Sequence, residues 1–89
     1  MRETKLQVFS TRWCGDCRRA KLVLDAHNIP YEETLLEEHP EATEFVMRIN
    51  RGMRSVPTIV FPDGSTLVEP SNVQLTKKLA DFWPLKPKP

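Results

Sequence analysis

Phe9-Ser10-Thr11-Arg12-Trp13-Cys14-Gly15-Asp16-Cys17 is the stretch on which the reading of this chain turns. Upstream of it, Leu6-Gln7-Val8-Phe9 alternates weakly and predicts a first strand. Downstream, Cys17, Ala20, Val23, Leu24 and His27 recur at intervals of three or four, so a helix is expected from Cys14 onward. Asn28 suits the end of that helix, and Pro30 stops its continuation. The two cysteines therefore fall where a strand gives way to a helix.

The rest of the chain continues the alternation. A short second strand is expected around Tyr31 to Leu36. His39-Pro40-Glu41 marks a second helix start, because proline and acids suit a first turn. Ala42, Phe45, Val46 and Ile49 supply its apolar stripe, and Gly52 its exit. Pro57-Thr58-Ile59-Val60-Phe61 and Thr66-Leu67-Val68 read as strands joined by Pro62-Asp63-Gly64-Ser65, since Asp-Gly accepts the positive φ of a tight turn. Ser71 caps a third helix whose Leu75, Leu79, Phe82 and Trp83 face one way, and Pro84 ends it. The order is β-α-β-α-β-β-α. The first two strands should be parallel with a right-handed crossover and the last two antiparallel, giving a mixed four-stranded α/β sheet flanked by three helices. One domain is expected over residues 1–84, followed by a Pro-rich tail over 85–89.

Composition narrows the function. The formal net charge of the 89 residues is +1, with acids and bases interspersed. Nucleic acid is not expected as a partner, because phosphate neutralisation needs a dense basic face. No run approaches the roughly 18 apolar residues of a membrane span. Met1 to Lys5 leads into Leu6 without the apolar stretch and small-residue cleavage site of a signal peptide. Two cysteines at Cys-x-x-Cys spacing suit a redox pair in the cytoplasm better than a secreted disulfide staple. The acids from Glu32 to Glu44 read as a solvated helix entrance.

At the start of a helix, backbone N–H groups lack intrahelical partners and carry the positive end of the helix dipole. A Cys14 thiolate there should ionise below the free value of about 8.5. Arg12, Arg18 and Arg19 push the same way, and Asp16 opposes them. Cys17, one turn on and in line with Ala20 and Leu24, should be more buried and act as the resolving thiol. Attack by Cys14 on a disulfide gives a mixed disulfide, which Cys17 can open intramolecularly. Two incidental structural cysteines would leave this placement without a purpose. A metal site is not expected: zinc normally takes four ligands, and His27, two turns along the same helix, lies too far from Cys14.

Trp13-Cys14-Gly15-Asp16-Cys17, Asn50-Arg51-Gly52-Met53-Arg54-Ser55-Val56-Pro57-Thr58 and Asp63-Gly64-Ser65-Thr66-Leu67 with Pro70-Ser71 together resemble the glutaredoxin and thioredoxin superfamily, most nearly the mycoredoxins and actinobacterial glutaredoxin-like proteins. The resemblance spans residues 5–83 and implies a thioredoxin fold. It implies that Pro57 is a cis-proline beside the nucleophile and that Val56, with Ser55 before it, offers its backbone to a bound thiol. Trp13 would shield the sulfur and line the groove. Arg12 would replace the charge of a family lysine whose place here is Thr11. Ser71 would bring free N–H groups to an anion or hydroxyl.

The implied activity is reduction of mixed disulfides between proteins and a low-molecular-weight thiol, which serves as co-substrate with no bound cofactor. Mycothiol, bacillithiol and glutathione stay open, because the family's glycine pair and aspartate give way to Glu69-Pro70-Ser71-Asn72. Gly15 and Asp16 likewise replace the usual proline and tyrosine. A dithiol electron donor fed by a flavin disulfide reductase of the thioredoxin reductase type, or a [2Fe–2S] carrier, are the alternatives. Disulfide-containing proteins are the expected macromolecular substrates, and a monomer is expected.

Overall fold

The computed structural model describes residues 5–83, so Pro84 and the tail over 85–89 lie outside it. The elements run β1 (Leu6–Ser10), α1 (Gly15–Ala26), β2 (Tyr31–Leu35), α2 (Pro40–Ile49), β3 (Thr58–Val60), β4 (Thr66–Val68) and α3 (Asn72–Leu79). They form one sheet of order β2-β1-β3-β4. β1 pairs parallel with β2 and antiparallel with β3, which pairs antiparallel with β4. This is the mixed sheet the sequence predicts.

Strand alternation divides the core in two. Leu6, Val8 and Ile59 face α1 and α3, where they meet Ala20, Leu24, Leu75 and Leu79. Phe9 faces the other way and packs with Leu36, Ala42 and Val46. Phe45 joins them through a tilted ring contact with Phe9, centroids 5.2 Å apart. β1 is thus buried on both faces, and each fully buried aliphatic side chain contributes roughly 1.5–3 kcal/mol. The strand that leads to the cysteines is paired on both sides, with β2 and with β3.

The turns follow their residues. The Pro62–Ser65 hairpin has Gly64 at φ +90, and Asp63 accepts from both the backbone N–H and the hydroxyl of Ser65. Those two donors hold the Asp63 carboxyl below the usual carboxylate range. Ser71 caps α3 in a reciprocal box with Gln74.

Several boundaries differ from expectation, among them the end of β3 at Val60 instead of Phe61 and the start of α1 at Gly15 instead of Cys14. Leu36 leaves the second strand and opens a single 3-10 turn over Leu36–Glu38, because its side chain is needed in the α2-side core. β3 starts at Thr58 rather than Pro57, since proline has no N–H for the ladder. α3 ends at Leu79, before Phe82 and Trp83, yet both rings still pack on the core because their N–H groups reach back to the Leu79 carbonyl. Leu24, fully buried, and Leu22, 64% exposed, lie on opposite sides of α1. Leu24→Ala should cost about 3 kcal/mol in urea unfolding and Leu22→Ala less than about 0.5 kcal/mol.

Candidate active site

β1 ends at Ser10, and Thr11 to Trp13 carry the chain over the sheet edge to Cys14. Cys14 is extended, with φ −114 and ψ 106, and is the N-cap of α1. Its Sγ accepts the Cys17 backbone N–H at 3.0 Å, the position a serine or aspartate oxygen usually fills. The Cys14 carbonyl takes the first helical bond, from Arg18 N–H at 3.1 Å. Cys14 is half-buried, whereas Cys17 is 1% exposed, so only the first sulfur meets solvent readily. The two sulfurs are joined in a disulfide.

The loop before β3 meets Cys14 from the other side. Asn50 donates to the Thr58 hydroxyl at 3.1 Å, and that hydroxyl donates to the Ser55 carbonyl at 2.7 Å. The Pro57 carbonyl accepts from Glu69 at 2.8 Å. So pinned, the Val56–Pro57 peptide is cis and the Val56 carbonyl oxygen lies 4.0 Å from Cys14 Sγ. Among the described residues the Val56 N–H has no backbone partner. Ser55 is half-buried and gives its carbonyl to Thr58, so its backbone oxygen is already engaged.

A cleft of about 240 Å3 opens on the β2 side of the disulfide, lined by Thr11, Arg12, Cys14, Cys17, Arg18, Lys21, Glu33 and Leu35. Glu33 was not legible as a site residue, though strand spacing puts it on the same face of β2 as Tyr31 and Leu35. Its carboxylate accepts from the buried Ser10 hydroxyl at 2.5 Å and from Lys21 at 2.7 Å. Burial pushes the Glu33 carboxyl up, but the bonds from Lys21 and Ser10 outweigh it and hold the group below its ordinary value.

Other sequence candidates sit differently from expectation. Trp13 is 92% exposed and is not among the residues that line this cleft. Arg12 lines the cleft, but its guanidinium pairs with Glu38 and its backbone N–H donates to Glu37 at 2.8 Å. That backbone bond, Glu37's own N–H and the charges of Arg12 and Arg54 keep the Glu37 carboxyl below its usual range. The acids beyond Glu32 are therefore more than a solvated helix entrance: Glu37 and Glu38 tie down the loop that carries the cysteine. Ser71 is exposed, but its N–H and hydroxyl oxygen are both taken by Gln74. Among the described residues no cluster of three His, Cys, Asp or Glu is placed to hold a metal ion.

The Glu33 cluster fixes a pH dependence. A carboxyl whose folded value is lowered stabilises the fold above its unfolded value and loses that contribution as pH falls through the folded one. Glu33→Gln should cost about 1 kcal/mol at pH 7 in urea unfolding. The difference should begin to fade near the ordinary value of 4.5 and vanish in stronger acid.

The glutaredoxin family model matches residues 6–66. A candidate glutaredoxin of Mycobacterium tuberculosis is 46% identical over 74 residues, covering 83% of this chain and 88% of that protein. Mycoredoxin 1 of Corynebacterium glutamicum is 29% identical over 76 residues, 85% of this chain and 94% of that one. In fold, the chain matches the Archaeoglobus fulgidus glutaredoxin with a TM-score of 0.72 at 21% identity, covering 85% of this chain and 86% of that one. A buckwheat glutaredoxin in complex with glutathione gives 0.63 at 26% identity, covering 88% and 70%. These likenesses, with a Cys-x-x-Cys pair at Cys14 and Cys17, make the chain a member of the glutaredoxin family, a thiol–disulfide oxidoreductase of thioredoxin fold.

Proposed function

We propose that this oxidoreductase reduces mixed disulfides between proteins and a low-molecular-weight thiol, with Cys14 as nucleophile and Cys17 as resolving thiol. One observation carries the reading: a half-buried sulfur caps the N-terminus of α1, beside a Val56 N–H that has no backbone partner among the described residues, with the buried Cys17 behind it. The glutathione complex of the buckwheat relative supports a small thiol as the co-substrate. The mycoredoxin likeness makes mycothiol a candidate for it on equal terms. The reducing interior of a bacterial cell, the cytoplasm, is the compartment such chemistry needs.

The Cys14 thiolate attacks the small-thiol sulfur of the mixed disulfide. The bond from Cys14 to that sulfur forms, the bond to the protein sulfur breaks, and the protein leaves as a thiolate that takes a proton from water. A second small thiolate then attacks the captured sulfur, which releases Cys14 and yields the small-thiol disulfide. A flavin disulfide reductase supplies the electrons that return this disulfide to thiol. Cys17 offers the other exit: it loses its proton, attacks Cys14 and expels the small thiol, leaving the Cys14–Cys17 bond seen here. The Val56 backbone, through its N–H and C=O, holds the small thiol in line for the first step.

Cys14→Ser should abolish turnover of a protein–small-thiol mixed disulfide, while Cys17→Ser keeps at least about a tenth of it. The assay compares glutathione, mycothiol and bacillithiol adducts of one reporter protein, each with its own thiol as reductant. Equal loss in both variants overturns the small-thiol route and leaves the dithiol donor driven by thioredoxin reductase.

A further inference from the structure

A small thiol held by the Val56 backbone beside Cys14 has two directions in which to extend. On the β2 side it meets the cleft, whose lining includes Arg12, Arg18 and Lys21. On the other side, towards β4 at the far edge of the sheet, it meets the turn from β4 into α3, which begins at Glu69. The Glu69 N–H donates to the Pro57 carbonyl at 2.8 Å, so this residue sits one hydrogen bond from the Val56–Pro57 segment that faces the sulfur.

Glu69 is exposed and holds φ +49, a left-handed conformation that glycine adopts without cost and glutamate does not. Its carboxylate makes no ion pair or hydrogen bond among the described residues, so internal bonding does not account for the side chain. What it supplies is a fixed negative charge shortly before Ser71, the N-cap of α3, where it answers the positive end of that helix. We propose that Glu69 is a specificity-determining residue of the small-thiol site: it turns away a co-substrate with a carboxylate on the arm laid towards α3, and admits one whose arm is uncharged and rich in hydroxyls. Hydroxyls can donate to its free oxygens, whereas an arriving carboxylate meets like charge at a helix end already answered. Glutathione carries a carboxylate on each arm of its cysteine, so either orientation brings one towards Glu69. Mycothiol, a neutral polyol on both counts, brings none. The chemistry at Cys14 is the same for both thiols, and the difference lies in how fast each is captured.

This inference rests on the small-thiol reading of Cys14, and the experiment keeps the two apart. One reporter protein is prepared as its glutathione and its mycothiol adduct, and single-turnover reduction by excess reduced protein at low ionic strength gives a second-order rate constant for each. Glu69→Gln should raise the glutathione rate about three- to tenfold and change the mycothiol rate by less than about twofold. In about 0.5 M salt the glutathione gain should shrink to less than about twofold. Glu69→Gly, which suits φ +49, should give the same gain at low salt, because charge and not conformation is the determinant. Glu44→Gln, which removes the same charge from an exposed site on α2, should change neither rate. An unchanged glutathione rate in Glu69→Gln, an equal change for both adducts, a gain that survives salt or is absent from Glu69→Gly, or the same gain in Glu44→Gln overturns the proposal. If Cys14→Ser still reduces the adducts, the functional reading fails; if it is dead while Glu69→Gln treats both adducts as the parent does, only the selectivity at Glu69 fails.

Discussion

The bond from the Cys17 amide to Cys14 Sγ closes a helix end with the sulfur proposed as nucleophile. A helix N-terminus must find acceptors for its orphan N–H groups, and a divalent sulfur is a poor one. A thiolate is a good one, because charge-assisted bonds are roughly twice as strong as neutral ones. The cap is therefore better satisfied in the state from which attack begins. Everything else in the fold serves to keep that cap where it is. β1, covered on both faces, brings the chain to the right height, and Ala20 and Leu24 press the following helix onto the sheet.

That cap operates among nearby charges that mostly cancel in pairs. Asp16 answers Arg19, Glu38 answers Arg12, and Glu33 answers Lys21. Exposed pairs of this kind add little to stability, about 0–1 kcal/mol each. Their consequence lies in the field they leave: a paired cation contributes little at the sulfur, so the count of arginines near a motif overstates its electrostatics. The Glu33 cluster is the exception in placement. On an edge strand, a charge also discourages pairing with a second sheet.

Much of this was legible in the chain before its structure, and the reason differs by element. Strong periodicity and turn chemistry placed all seven elements, and Cys17 was read as buried because it stands three residues before Ala20 and seven before Leu24. Boundaries were lost where tertiary contacts overrode pattern: Leu36 turned inward to a core cluster rather than extending its strand. Pairings across long stretches of sequence were invisible as well. Nothing local to Arg12 announces Glu38, and nothing local to Ser10 announces Glu33, since 26 and 23 residues separate them. The exposure of Trp13 could not be read locally either, because an aromatic next to a cysteine looks the same in sequence whether it packs or stands in solvent.

The same logic explains why the rim near α3 is not a ready anion site, although a helix begins there. Ser71 spends its N–H and its hydroxyl oxygen on Gln74, and Arg19 occupies the Asn72 side chain and approaches the Pro70 carbonyl at 3.5 Å. A ligand group arriving at Ser71 must displace bonds already made, so its net gain is only the difference between two similar interactions. At Val56 no such exchange is needed, because the ladder begins two residues later and its N–H has no backbone partner among the described residues. For a small thiol bound as proposed, the favourable grip lies on backbone beside the sulfur. The side chains of the α3 rim would then act by shape and by the bonds they refuse to give up.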